Sequence, residues 1–191
     1  MLTKLLSALV LTSIPFSLAA QTDSLHIKRE DYYFNNVMVG GLFGDRGKEN
    51  SLSASTTHGM RYKRFLFGGG IGYDAYERWQ TVPIFASVGV DLWQKAKNAL
   101  YLQVSGGHSK AWRPEIENDA FVYDSQDGGM FTSTIGYRIA VEDWSIHFAA
   151  GYKFQRITYV QKYRWFLADQ SRTVVRHDIE RFAVMIGIGY H

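Results

Sequence analysis

Large apolar side chains recur at every second residue through most of this chain, and the residues between them differ in kind as well as in size. The stretch TVPIFASVGVDL sets Val82, Ile84, Ala86, Val88, Val90 and Leu92 against Phe85, Ser87, Gly89 and Asp91. RFLFGGGIGYD sets Phe65, Phe67, Ile71 and Tyr73 against Gly68, Gly70, Gly72 and Asp74. GGMFTSTIGYRIAV and DWSIHFAAGYKFQ repeat the division, with Thr132, Thr134, Gly136 and Arg138 on one minor face and Ser145, His147, Gly151 and Lys153 on the other. A pleated strand sends successive side chains to opposite faces. One face of this sheet is therefore broad and apolar, and the other is small, polar and charged.

Eight such segments can be read, near 35–44, 52–62, 64–77, 80–93, 98–109, 128–141, from Asp143 onward, and up to the last residue. Their connections alternate in length. Lys63, Gln94 to Asn98, and Glu142-Asp143 make tight turns, whereas 110–127 and the stretch around 160–175 are long. Short turns at one end and long loops at the other fit an outer-membrane barrel, with the short turns toward the periplasm.

The last segment, RFAVMIGIGYH, alternates to the final residue. Lipid offers no hydrogen bonds to a free strand edge, so a sheet in a membrane must close on itself. Pairing of the last strand with the first closes it. The expectation is an all-β fold, an eight-stranded antiparallel up-and-down transmembrane β-barrel over residues 35–191. Its large apolar face meets lipid, and its small face lines a narrow lumen. Tyr190, Trp93 and Trp144 are expected at the periplasmic interface, and Tyr73, Trp79, Tyr152 and Phe154 at the other.

Met1 to Lys4, the apolar Leu5–Phe16 and Ser17-Leu18-Ala19 read as a secretory signal peptide over 1–19, followed by a short periplasmic segment over 20–34. The chain has no cysteine, so disulfides play no part. A net charge of +3 without a basic module argues against nucleic acid. Aromatic residues at 15% favour strands.

With these features the chain resembles the small eight-stranded bacterial outer-membrane barrels grouped with OmpX and the OmpA membrane domain. TVPIFASVGVDL, YLQVSGGHS and TIGYRIAVEDWSIHFAAGYKFQ look like barrel proteins of the Bacteroidetes type. The resemblance implies an outer-membrane protein without cofactor or metal, a monomer whose partners are membrane lipid, including lipopolysaccharide, and a surface protein.

Three groups of residues invite a functional reading. Arg61, Asp74, Asp91, Arg138, His147, Lys153 and Arg181 are expected inside the lumen as a mutually satisfied charge network. A hydrolase reading needs a histidine and a serine on one strand face plus an acid, as in barrels that modify lipid A. His108-Ser109 are adjacent and so face apart, and His147 follows Ser145 without an evident acid, so no catalytic residue is assigned. The third group lies outside: an acidic loop over 110–127, and a basic stretch over 156–177 with Arg156, Lys162, Arg164, Arg172 and Arg176. Its flanks on either side of a tip at Ala168–Ser171 are each about twice the ~9–11 residues a membrane strand needs. They predict a two-stranded ribbon standing beyond the membrane, with strand edges and cations available for interaction. A small-solute channel and a soluble lipocalin-like binder are the remaining alternatives.

Overall fold

The computed structural model describes residues 33–44, 50–95, 98–113, 121–163 and 173–190. The expected signal peptide, nearly all of 20–34, the ribbon tip with Arg164 and Arg172, and the side chain of Lys162 lie outside the described residues.

Nine strands follow in order: β1 (Tyr33–Phe43), β2 (Ser51–Tyr62), β3 (Phe65–Ala75), β4 (Gln80–Lys95), β5 (Asn98–Trp112), β6 (Phe121–Gln126), β7 (Gly128–Val141), β8 (Trp144–Tyr163) and β9 (Thr173–Tyr190). Each strand of the ring pairs antiparallel with its neighbours. β1 to β5 run consecutively, β5 pairs with β7, β7 with β8 and β8 with β9, and β9 closes on β1 from Asn35↔Tyr190 to Phe43↔Phe182. This is the expected closed barrel of eight strands, and β6 is the ninth element. Its register with β8 ends at Gln126↔Thr158, and that of β7 begins at Met130↔Gln155. Four steps along one strand thus match three along the other. β6 and β7 are one long strand broken by a bulge of one residue. Gly128 sits at the break, where a β-carbon would collide with the Arg156 carbonyl.

The ring can be followed along one rung. From Trp144 it passes Tyr190, Asn35, His58, Gly69, Ala86, Gly106 and Phe131, and returns to β8 at Phe154. The return is offset by ten residues from the start. With ~3.3 Å per residue and ~4.7 Å between strands, that stagger sets a strand tilt of about 40° and a barrel radius of about 8 Å. So narrow a ring can be filled by side chains alone.

Two tight turns need a strained residue. Lys63 and Glu142 occupy the first position of two-residue hairpins, at φ 56° and 55°. Glycine normally takes that position, because a β-carbon crowds the backbone there.

Two expectations about loops are corrected. Segment 110–127 is not all loop: Lys110 to Trp112 complete β5, and 121–126 form β6. The ribbon is three-stranded, since β6 lies along β8 from Phe121↔Tyr163 to Gln126↔Thr158, while β9 lies along its other side to Gln161↔Thr173. The edge of β8 is therefore not free. Beyond Phe182, β9 has no partner on its outer side among the described residues.

Candidate functional site

Two surfaces and a lumen decide what this molecule can do. The outer wall carries Val37, Val39, Phe67, Ile71, Ile84, Val88, Ile135, Phe148, Ile186 and Ile188, all exposed. Ile84 is 65% exposed, as if no protein surface were meant to cover it. An apolar belt of this extent around a whole molecule far exceeds the few hundred Å² a soluble monomer tolerates, and lipid is the solvent that suits it. Trp144 and Tyr190 meet edge to face at 5.6 Å on the rim that carries the short turns. Trp93 joins them outside through a bulge. Alternation alone would turn Trp93 inward beside Asp91, but the β4–β5 register slips between Asp91 and Trp93, so Leu92 and Trp93 are both exposed.

At the other rim Tyr152 is exposed, and Tyr73 packs beside Trp112 at 6.2 Å. Trp79 is a correction. It is buried at 7% exposure and lies 4.9 Å from Tyr159 and 6.4 Å from Tyr123, inside the mouth of the barrel. It follows β3 in the β3–β4 connection, where the pleat no longer dictates direction.

Inside, the expected charge set divides between levels. Nearer the outer end, Lys153 Nζ donates to Asp74 Oδ1 at 2.5 Å, and Ser53 Oγ donates to the same oxygen at 2.6 Å. Thr81 Oγ1 donates to Asp74 Oδ2 at 3.4 Å. The turn end holds Arg138, whose Nη2 donates to Asp91 Oδ2 at 2.9 Å, with both side chains almost fully buried. There His147 Nε2 is 2.9 Å from Ser145 Oγ, and its Nδ1 is 3.4 Å from the Tyr101 hydroxyl. Arg61 lines the same end, and Arg181 stands half-buried at the opposite rim, donating to the Glu180 carbonyl. Between the levels lies a cavity of about 70 Å³ that Lys153, Asn36, Phe85 and Met130 help to line.

Glycines make room for the larger lumen side chains. Tyr101 pairs with Gly136, Phe85 with Gly70 and Phe34 with Gly59, and each ring lies where a β-carbon of the glycine would be. Gly189 does the same for Ser145 and His147.

Sequence reasoning did not find the apolar lid. Leu42, Tyr76, Trp79, Ala111, Ile157, Ile179 and Ala183 form one buried cluster, with Tyr123, Tyr159 and Met185 packed against it. These residues close the lumen at the loop end. Burial pushes the Tyr76 phenol well above its usual range, and its hydroxyl has no hydrogen-bond partner among the described residues.

The two serine–histidine pairs differ in geometry. His108 faces outward, 3.3 Å from Asp127, while Ser109 is fully buried on the other face. Ser145 and His147 do meet, and the Tyr101 hydroxyl stands at the second ring nitrogen.

No protein-family model matches the chain, and no curated protein does. Solved structures do. OprG, an outer membrane protein of Pseudomonas aeruginosa, superposes with a TM-score of 0.61 at 12% identity, over 84% of this chain and 95% of that one. Neisserial surface protein A gives 0.53 at 17% identity, over 83% and 96%. The outer membrane protein AlkL gives 0.51 at 10%, over 93% and 96%. The likeness is one of fold, and the apolar wall supplies the location.

The chain is an outer-membrane β-barrel.

In that setting the eleven residues from Trp144 to Phe154 span the apolar band, matching the ~9–11 that a tilted membrane strand needs. Everything on β8 and β9 beyond them, together with β6, stands on the outer side. There Arg156 donates to Asp178 through Nε at 2.7 Å and Nη2 at 2.9 Å. Arg176 is exposed on the same face of β9.

Proposed function

We propose that this barrel has a structural and surface-interaction role rather than a catalytic one, and that the three-stranded extracellular sheet is its working surface. One observation carries the reading. β9 continues for nine residues past its last contact with β1, from Thr173 to Arg181, and among the described residues its outer edge there is unpaired. An open edge beside an ordered sheet is a template for an extended peptide, with backbone hydrogen bonds supplying affinity. The inner face of this sheet is occupied, because Ile157, Ile179, Tyr123 and Tyr159 belong to the lid. The edge remains, with the part of the outer face around Val174 and Arg176, Val160 on that face being buried. Of the cations proposed for surface contact, Arg156 is held by Asp178, and Arg176 is presented. Pairing of Arg176 with lipopolysaccharide phosphate is compatible with this role. Within the small outer-membrane barrels, the alternation and turn pattern support kinship with the OmpX and OmpA-membrane-domain group.

The non-catalytic side of the proposal rests on the lumen. The Ser145–His147 pair opens only onto a pocket of about 20 Å³, which holds one or two water-sized groups and no acyl chain.

The test compares the full protein with a variant in which 158–176 is replaced by a two-residue Asn-Gly turn. Both are inserted in outer membranes and panned against a displayed random-peptide library. Enrichment on the full protein alone is expected. Equal enrichment on both, with each giving the heat-shifted gel band of a folded barrel, would remove the role.

A further inference from the structure

The apolar wall is interrupted on β2. Where neighbouring strands turn Val37, Phe67 and Ile71 toward lipid, β2 turns out Thr56 and His58. Tyr33 and Asn35 of β1 adjoin them on the same face, Asn35 directly opposite His58. The Tyr33 hydroxyl is 2.8 Å from His58 Nδ1, and Thr56 Oγ1 is 3.1 Å from Nε2. A neutral imidazole accepts at one nitrogen and donates at the other, so one hydroxyl proton of the trio has no use within it. Among the described residues the Asn35 carboxamide makes no hydrogen bond.

These groups lie deep in the band. His58 is on the rung that starts at Trp144 and passes Tyr190 and Asn35. Three strand steps of ~4.7 Å at a tilt of about 40° lift it about 9 Å above the Trp144 level. Thr56, two residues farther up β2, stands about 14 Å above that level, near the middle of a band ~25 Å tall. Acyl chains at this depth offer no acceptor, since lipid carbonyls and phosphates lie at the interface. A polar group here finds its partner in protein.

We propose that the β1–β2 wall is a homodimer interface, seated in the membrane on a second copy of this chain. Symmetry selects the occupant. Copies inserted in the same sense are related by rotation about the membrane normal, and that rotation leaves every height unchanged. A two-fold pair through β2 therefore sets Asn35, Thr56 and His58 level with their own equivalents. Hydroxyls, carboxamides and neutral imidazoles both donate and accept, so each can pair with its own kind; an ionised carboxylate or an ammonium could not. The wall is also low beside them. His58 shares its rung with Gly69 and Ala86, and a β-carbon on Gly69 would meet only the Phe85 carbonyl, at 3.6 Å. The pairing replaces the monomer that the family resemblance implies. It does not depend on the extracellular sheet, and neither proposal rests on the other.

The natural chain has no cysteine, so an introduced one reports alone. Met60→Cys lies on β2 two residues from His58 on the same face, and Ile135→Cys lies on β7, on the opposite wall of the ring. Each variant of the full chain is placed in outer membranes and treated with a short thiol cross-linker, and the heat-shifted gel band checks that it is folded. A product of twice the chain's mass is expected from Met60→Cys and not from Ile135→Cys. Adding Asn35→Leu and His58→Leu to Met60→Cys should cut that product about tenfold, the effect of two hydrogen bonds lost across a membrane interface. Equal product from the two walls would overturn the second copy. So would no product from a folded Met60→Cys barrel, as when lipid alone covers the wall, or a product of another mass, which would put a different protein there. Undiminished product in the triple variant would overturn the polar pairing.

Discussion

Lys153 on β8 reaches across the barrel to Asp74 on β3, Nζ to Oδ1 at 2.5 Å, and ties together strands that do not pair with each other. Both groups are buried, so removing either strands the other. Lys153→Met alone is expected to cost about 3–5 kcal/mol in urea-induced unfolding from lipid, and Asp74→Leu a similar amount. The double variant should recover most of that loss. Additive losses in the double variant would show that the two groups act independently.

Gly136 faces Tyr101 in register, and a β-carbon there would overlap the phenol ring. Overpacking of a filled lumen typically costs about 1–3 kcal/mol. Gly136→Ala should lower the unfolding midpoint accordingly, and adding Tyr101→Ser should restore much of it. Failure of the second change to rescue the first would place the strain in the backbone instead.

Trp144 and Trp79 should respond oppositely to lipid. Trp144 is 57% exposed on the outer wall, and Trp79 is buried within the lid. In single-tryptophan variants reconstituted with brominated phospholipid, Trp144 fluorescence should be strongly quenched and that of Trp79 barely changed. Equal quenching would put Trp79 back in the girdle.

The Arg156–Asp178 pair gives the outer sheet a pH dependence. The hydrogen bond from Arg156 holds the Asp178 carboxyl below its ordinary range. A depressed folded-state value means that the contribution is present above the unfolded value of ~3.9 and is lost as pH falls through the folded one. Hydrogen exchange of β9 residues 173–181 should therefore be flat across neutral pH, after correction for intrinsic rates, and should rise only in acid below about pH 4. Asp178→Asn should remove that acid step. A step at neutral pH that survives in Asp178→Asn would overturn this assignment.

Lys63 and Glu142 pay for tight turns with left-handed backbone. Glycine removes the steric cost of about 1–2 kcal/mol and returns part of it as chain entropy. Lys63→Gly and Glu142→Gly should each raise stability by up to about 1 kcal/mol. Loss of stability in both would mean that the side chains make contacts worth more than the strain.

Most of the barrel could be read from alternation, because a buried lumen and a lipid face hold opposite side chains at period 2. The run from Val82 to Asp91 places every residue on its correct face. Reading failed where the period breaks unannounced. The extra residue near Asp127 splits one strand into β6 and β7, so 121–126 reads as loop. Trp93 stands at the interface as expected, but it is the bulge after Asp91 that turns it outward. Backbone irregularities of one residue leave no mark in hydrophobicity. The lid was hidden for another reason. Leu42, Ile157 and Ile179 are single inward apolar residues on three different strands, and only the pairing and stagger of the ring gather them at one height. The charge set was legible as inward-facing, but its division between two levels depends on that same stagger.

The lid has a consequence for whatever enters the barrel. A water molecule arriving from outside meets the apolar side chains of Trp79, Leu42, Ile157 and Ile179 above the Lys153–Asp74 pair. The two mouths of the barrel thus offer different solvents to an entering group, one greasy and one lined with charge.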